Sequence, residues 1–120
     1  MSIPRYANGT WGDRTLREWV PVAVVDIVAK YDPVRIILFG SVARGEEGAD
    51  SDVDLLVVLD KVAPADRARL MGEMRFAIWA PVAIDVFVTD PEECERRRDV
   101  IGSMHYWALR EGEIVYERAA

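Results

Sequence analysis

At 120 residues, with 51% hydrophobic and 30% charged, the chain is long enough for one packed core and too short for a second folded unit. A formal charge of −6 excludes a protein that coats duplex nucleic acid, since that affinity comes from neutralising phosphates with Lys and Arg. No apolar stretch is long enough to span a membrane and the first residues lack the layout of a signal peptide, so a soluble, cytoplasmic protein is expected. Cys94 is the only cysteine, which excludes an internal disulfide and a cysteine-based zinc site, and its acidic surroundings favour a buried or idle thiol over a nucleophile.

Residues 1–13 carry Pro4, Asn8, Gly9 and Gly12 around Tyr6 and Trp11, a composition suited to a flexible N-terminal arm, and residues 14–120 form the single folded domain. Thr15-Leu16-Arg17-Glu18 has capping-box spacing, and Leu16, Trp19, Val20, Ala23, Val24, Ile27 and Tyr31 then share one helical stripe. Pro21 leaves two readings: a helix capped by Thr15 with proline inside it, or a helix that starts at the proline. Asp32-Pro33 stops this helix. Val34 to Phe39 is the first strand, and it delivers Gly40-Ser41 at its C-terminal end.

An acidic, glycine-containing loop follows, and Ser51-Asp52-Val53-Asp54 opens a second apolar run that ends at Leu59. Both runs are short and rich in β-branched residues and leucine, so they read as interior strands covered on both faces. Alternation along a strand puts Asp52 and Asp54 on one face with Val53 on the other. Two like charges held so close need a cation, and an unpaired charge inside an apolar strand is costly to explain as structure alone.

Lys61 to Pro64 is a turn, and Ala65 to Trp79 a helix with Leu70, Met71, Met74, Ala77 and Ile78 toward the sheet. Val82 to Val88 is a third strand interrupted by one carboxylate, Asp85. A strand, helix, strand unit of this length returns by a right-handed crossover, which sets the third strand parallel to the second and beside it. Asp85 can then join Asp52 and Asp54, or it can stand at a sheet edge and point to water. Asp90-Pro91-Glu92-Glu93 starts another helix, which carries Arg96, Arg97 and Arg98 as an exposed face and breaks near Gly102-Ser103. A last helix from Met104 to Arg110 ends at Gly112, and Ile114-Val115-Tyr116 closes the chain as a strand or extended segment. His105 has no evident partner in the sequence, and Trp19, Trp79 and Trp107 read as core or interface.

Gly40-Ser41-Val42-Ala43-Arg44-Gly45, followed by Ser51-Asp52-Val53-Asp54-Leu55, resembles the signature of the minimal nucleotidyltransferase domains of the DNA polymerase β-type superfamily. The resemblance covers most of the chain from about Val34. It implies an α/β (α+β) nucleotidyltransferase fold, with a small mixed β-sheet of three or more strands packed with about four helices. If the Gly-Ser bend and the carboxylates meet one metal-nucleotide, strands one and two run antiparallel, and Ser41 to about Glu46 is a helical excursion whose N-terminus offers N–H groups to a phosphate.

The resemblance also implies roles. Asp52, Asp54 and Asp85 would be catalytic metal ligands in a two-metal Mg²⁺ site, with Asp85 helping to activate the acceptor hydroxyl. Gly40 and Ser41 would bind the phosphates of ATP, and Arg44 would touch phosphate or only cap the excursion. The implied activity is transfer of AMP from ATP to a hydroxyl, that of a tyrosine, of a partner HEPN-family toxin, which makes the chain an antitoxin that adenylylates its toxin. The alternatives are a transferase for a small acceptor such as an aminoglycoside, and a noncatalytic antitoxin that neutralises its partner by binding.

Overall fold

The structure is a computed structural model that describes residues 5–6, 10–11, 14–48 and 51–120. The two-residue strands β1 (Arg5–Tyr6), β2 (Thr10–Trp11) and β3 (Arg14–Thr15) pair antiparallel in a small meander. The rest of the expected arm, residues 1–4, 7–9 and 12–13, lies outside the described residues.

Helix α1 (Leu16–Tyr31) settles the position of Pro21. Thr15 caps it: the threonine side chain accepts from Glu18 N–H and the Glu18 carboxylate accepts from Thr15 N–H, so both halves of the capping box are made. Pro21 therefore sits inside the helix, where it removes one backbone donor near the start. Leu16, Trp19, Val20, Ala23 and Ile27 are buried on its inner stripe.

The main sheet has four strands in the order β6-β5-β4-β7. Strand β4 (Arg35–Phe39) is antiparallel to β5 (Val53–Val58), with Phe39 opposite Asp54. The 3₁₀ turn Pro64–Asp66 and helix α2 (Arg67–Ala77) carry the chain back to β6 (Ile84–Thr89), which lies parallel to β5. Strand β7 (Glu113–Glu117) pairs antiparallel with the far edge of β4, so the closing segment is a strand. Helices α3 (Pro91–Arg97) and α4 (Met104–Glu111) fill the gap between β6 and β7. The expected α+β architecture is thus present, with four α-helices on a mixed sheet among the described residues.

The faces of the sheet divide by residue parity. Ile36, Leu38, Val53, Leu55, Val57, Ile84, Val86 and Val88 pack with α1 and α2 residues such as Ala23, Ile27 and Met74. On the other face Ile37 and Leu56 pack with Ala108 of α4, and Phe39 and Phe87 join them. Asp54 and Asp85 share that second face, because each is two residues from Leu56 or Phe87 on its own strand.

Three details differ from expectation. Residues 41–45 form a succession of hydrogen-bonded turns and no helix; Arg44 N–H donates to Gly40 O and Glu46 N–H to Ser41 O, while Gly45 takes φ +72° and ends any helical course. Helix α2 stops at Ala77, since Ile78 is already extended and Trp79 N–H donates to Asp26 Oδ2 of α1 at 2.9 Å. Trp79 and Trp107 are 72% and 48% exposed, so of the three tryptophans expected in core or interface only Trp19 is buried in the core.

Candidate active site

Gly40 leaves β4 with φ +79°, in the left-handed region that favours glycine. A Cβ built there would overlap Asp54 Oδ2, so the absent side chain is what lets the Asp54 carboxylate lie against the bend. Val42, fully buried, pins the following turn to the core, while Ser41 is half-buried and Arg44 exposed. Arg44 bonds Glu46 at 3.1 Å and reaches toward Glu111 at 3.9 Å.

Asp54 and Asp85 are register neighbours on adjacent parallel strands, which sets their backbones roughly 4.8 Å apart and sends both side chains to the same face. Asp52 stands one residue before β5 and is exposed, as is Asp85 on the edge strand. The three carboxylates are close enough to act on one another. Burial pushes the Asp54 carboxyl up to about 6, the charges of Asp85 and then Asp52 push in the same direction, and Arg44 opposes them weakly. Asp54 therefore holds a proton more tightly than an ordinary carboxylate, chiefly because it is partly buried and then because two like charges stand beside it.

Among the described residues, no group of three or more His, Cys, Asp or Glu side chains is arranged to hold a metal ion by itself. The donor set still fits magnesium. That ion is ordinarily held by one or two carboxylates together with water and substrate phosphates, without a closed protein cage. Asp54, flanked by Asp85 and Asp52, supplies hard oxygen donors and an excess of negative charge where such an ion would be neutralising.

Two further features are not readable from local sequence pattern. Arg17, in the first turn of α1, donates to the carbonyl oxygens of Val42 and Ala43, each at 3.3 Å, and pairs with Glu113 at 2.6 Å. The second lies at the other end of the shared face. His105 is buried with a partner: its Nε2 lies 2.9 Å from Thr89 Oγ1, and Thr89 also donates to Glu93 Oε1 at 2.5 Å. Arg67 pairs with the buried Glu93 at 2.6 Å, and Arg96 and Arg97 approach it at 3.7 and 3.6 Å, so two members of the expected exposed arginine run reach inward. Desolvation holds His105 below its ordinary pKa, with Arg97 and Arg67 acting in the same direction against Glu93. Cys94 is half-buried, and burial raises its thiol further from the reactive form.

Comparison with known proteins follows this geometry. A family model described as the nucleotidyltransferase domain matches residues 23–107, which takes in the Gly-Ser bend and all three carboxylates. The chain belongs to the nucleotidyltransferase domain family. A crystal structure from Sulfolobus solfataricus, itself a nucleotidyltransferase by assignment only, superposes with a TM-score of 0.60 at 20% identity, covering 86% of this chain and 80% of that one. That likeness is one of fold. No curated protein matches the chain significantly. Among the described residues no helix is long and apolar enough to cross a membrane.

Proposed function

We propose that this nucleotidyltransferase domain is a Mg²⁺-dependent enzyme that transfers AMP from ATP to a tyrosine hydroxyl group of a partner protein, with pyrophosphate leaving. The observation that carries the reading is the pairing of Asp54 with Asp85 across β5 and β6, with Asp52 beside them and the Gly40-Ser41 bend against Asp54. Bound divalent ions would neutralise the charge that builds on the α-phosphate and hold the attacking and leaving oxygens.

The chain's own residues have distinct tasks in this scheme. Asp52 and Asp54 hold the metal that accompanies the triphosphate. Asp54 and Asp85 hold the second, and Asp85 faces the acceptor hydroxyl from the edge strand, where a partner has room to approach. Gly40 admits a phosphate close to the backbone and Ser41 donates to it. Arg44, exposed beside the bend, adds positive charge on the phosphate side.

The choice of a protein acceptor is supported by the likeness of the Gly40–Gly45 and Ser51–Leu55 motifs to minimal nucleotidyltransferase domains that silence HEPN-type toxins by adenylylation. In that role the partner toxin is the substrate, and this chain is its antitoxin. Purified protein is incubated with Mg²⁺, ATP labelled at the α-phosphate and the protein that co-purifies with it. Label on the partner supports the proposal; label on a small hydroxylated acceptor transfers the reading to a small-molecule enzyme, and no transfer with intact partner binding makes the domain a noncatalytic antitoxin.

A further inference from the structure

Arg17 lies 25 and 26 residues before the carbonyls it holds, on a different element, and its contacts converge on the turn that follows Gly40. One arm of the guanidinium, Nη2, donates to Val42 O and Ala43 O; the other, Nη1, is neutralised by Glu113 at the start of β7. The side chain thus ties α1, the turn and β7 together. Its own helix end is fixed by the Thr15–Glu18 capping box, so the anchor is itself ordered.

The consequence for the turn follows from peptide geometry. In a trans peptide the C=O and the following N–H point in opposite directions, so fixing the Val42 carbonyl fixes the Ala43 N–H on the other side of the same plane. Val42 O also accepts from Gly45 N–H at 3.2 Å, and Arg17 adds a charged donor to a carbonyl that would otherwise carry that single turn bond. Gly40 and Gly45 both take positive φ, which makes the ends of this turn the most permissive points of the β4–β5 connection.

We infer that Arg17 is a positioning residue for nucleotide binding: it does not itself hold phosphate, its charge being matched by Glu113, but it sets the peptide planes of the 41–45 turn against which the triphosphate would lie. This rests on the proposed function, and extends it to a residue outside the signature motif. Lysine cannot replace it, because a single ammonium does not span two carbonyls and a carboxylate as the planar fork does.

The test separates the turn from the chemistry. In nucleotide-free protein, amide hydrogen exchange at Arg44 and Glu46, two of the three donors of the turn, is expected to quicken about tenfold in both Arg17→Met and Arg17→Lys, with exchange in β5 unchanged. The dissociation constant of Mg²⁺ with a nonhydrolysable ATP analogue is expected to rise about tenfold in the same variants, as loss of one or two charged hydrogen bonds would produce. Wild-type exchange rates at Arg44 and Glu46 in the variants would overturn the inference alone, and so would faster exchange with unchanged affinity. Wild-type protein that binds no nucleotide would overturn the functional reading, and the nucleotide role of Arg17 with it.

Discussion

The Asp54 carboxylate occupies the space that a side chain on Gly40 would fill. Two elements that are 14 residues apart in sequence are therefore matched at one atom, the bend presenting backbone and the strand presenting charge.

Gly40→Ala should damage both stability and binding. The positive φ of +79° costs an alanine about 1–2 kcal/mol, and the new methyl group must also displace the carboxylate. Urea unfolding should show a loss of at least that size. Equal stability of the variant and the wild type would mean that the bend relaxes freely and that Asp54 is not held against it.

Asp54 sets a pH dependence whose sign is unusual for a carboxylate. Its folded pKa of about 6 lies above the ordinary value of 3.8, so between those values the folded state binds more protons than the unfolded state. In metal-free protein this contribution makes stability fall as pH rises from about 4 to 6 and remain lower above that. Because the group is only half-buried, water screening reduces the expected penalty at pH 7 to about 1–2 kcal/mol. Asp54→Asn should gain roughly that much at pH 7 and nothing near pH 4. The difference between wild type and variant is the quantity to measure, because His105, held neutral by desolvation, loses stability as pH falls below its unfolded pKa and so acts in the opposite direction.

The buried cluster at Thr89, Glu93 and His105 is expected to be structural. Glu93 is 3% exposed and meets the partly exposed Arg67, so Glu93→Gln weakens a charged hydrogen bond and should cost about 2 kcal/mol in chemical denaturation. Affinity for Mg²⁺ with a nonhydrolysable ATP analogue should stay at the wild-type value in protein that remains folded. A weakened affinity without a loss of stability would assign this cluster to the site instead.

Much of this arrangement was legible in the sequence because it depends on local rules. Strand alternation puts Asp54 on the face away from Val53 and Leu55, and the length of the 61–81 connection implies a parallel third strand, which is what brings Asp85 into register with Asp54. The capping box at Thr15 was readable for the same reason. Contacts between distant elements were not. Arg17 enters the sequence pattern only within the capping-box tetrapeptide, and nothing in a one-dimensional pattern ties it to carbonyls beyond Gly40. His105 showed no partner because Thr89 and Glu93 approach it only after α3 and α4 fold back on β6. The helical excursion from Ser41 to Glu46 follows from requiring the bend and the carboxylates to meet one metal-nucleotide, whereas Gly45 confines the segment to turns.

The measurement that bears most directly on the account is the thermal shift of wild type and Asp54→Asn with Mg²⁺ and a nonhydrolysable ATP analogue at about 100 times the dissociation constant. A ligand that binds only the folded state adds about 2.7 kcal/mol there, so the wild type should melt roughly 5–10 °C higher. Asp54→Asn should lose most of that gain although it is the more stable protein without ligand. An equal shift in both proteins would contradict a metal-nucleotide site built on Asp54.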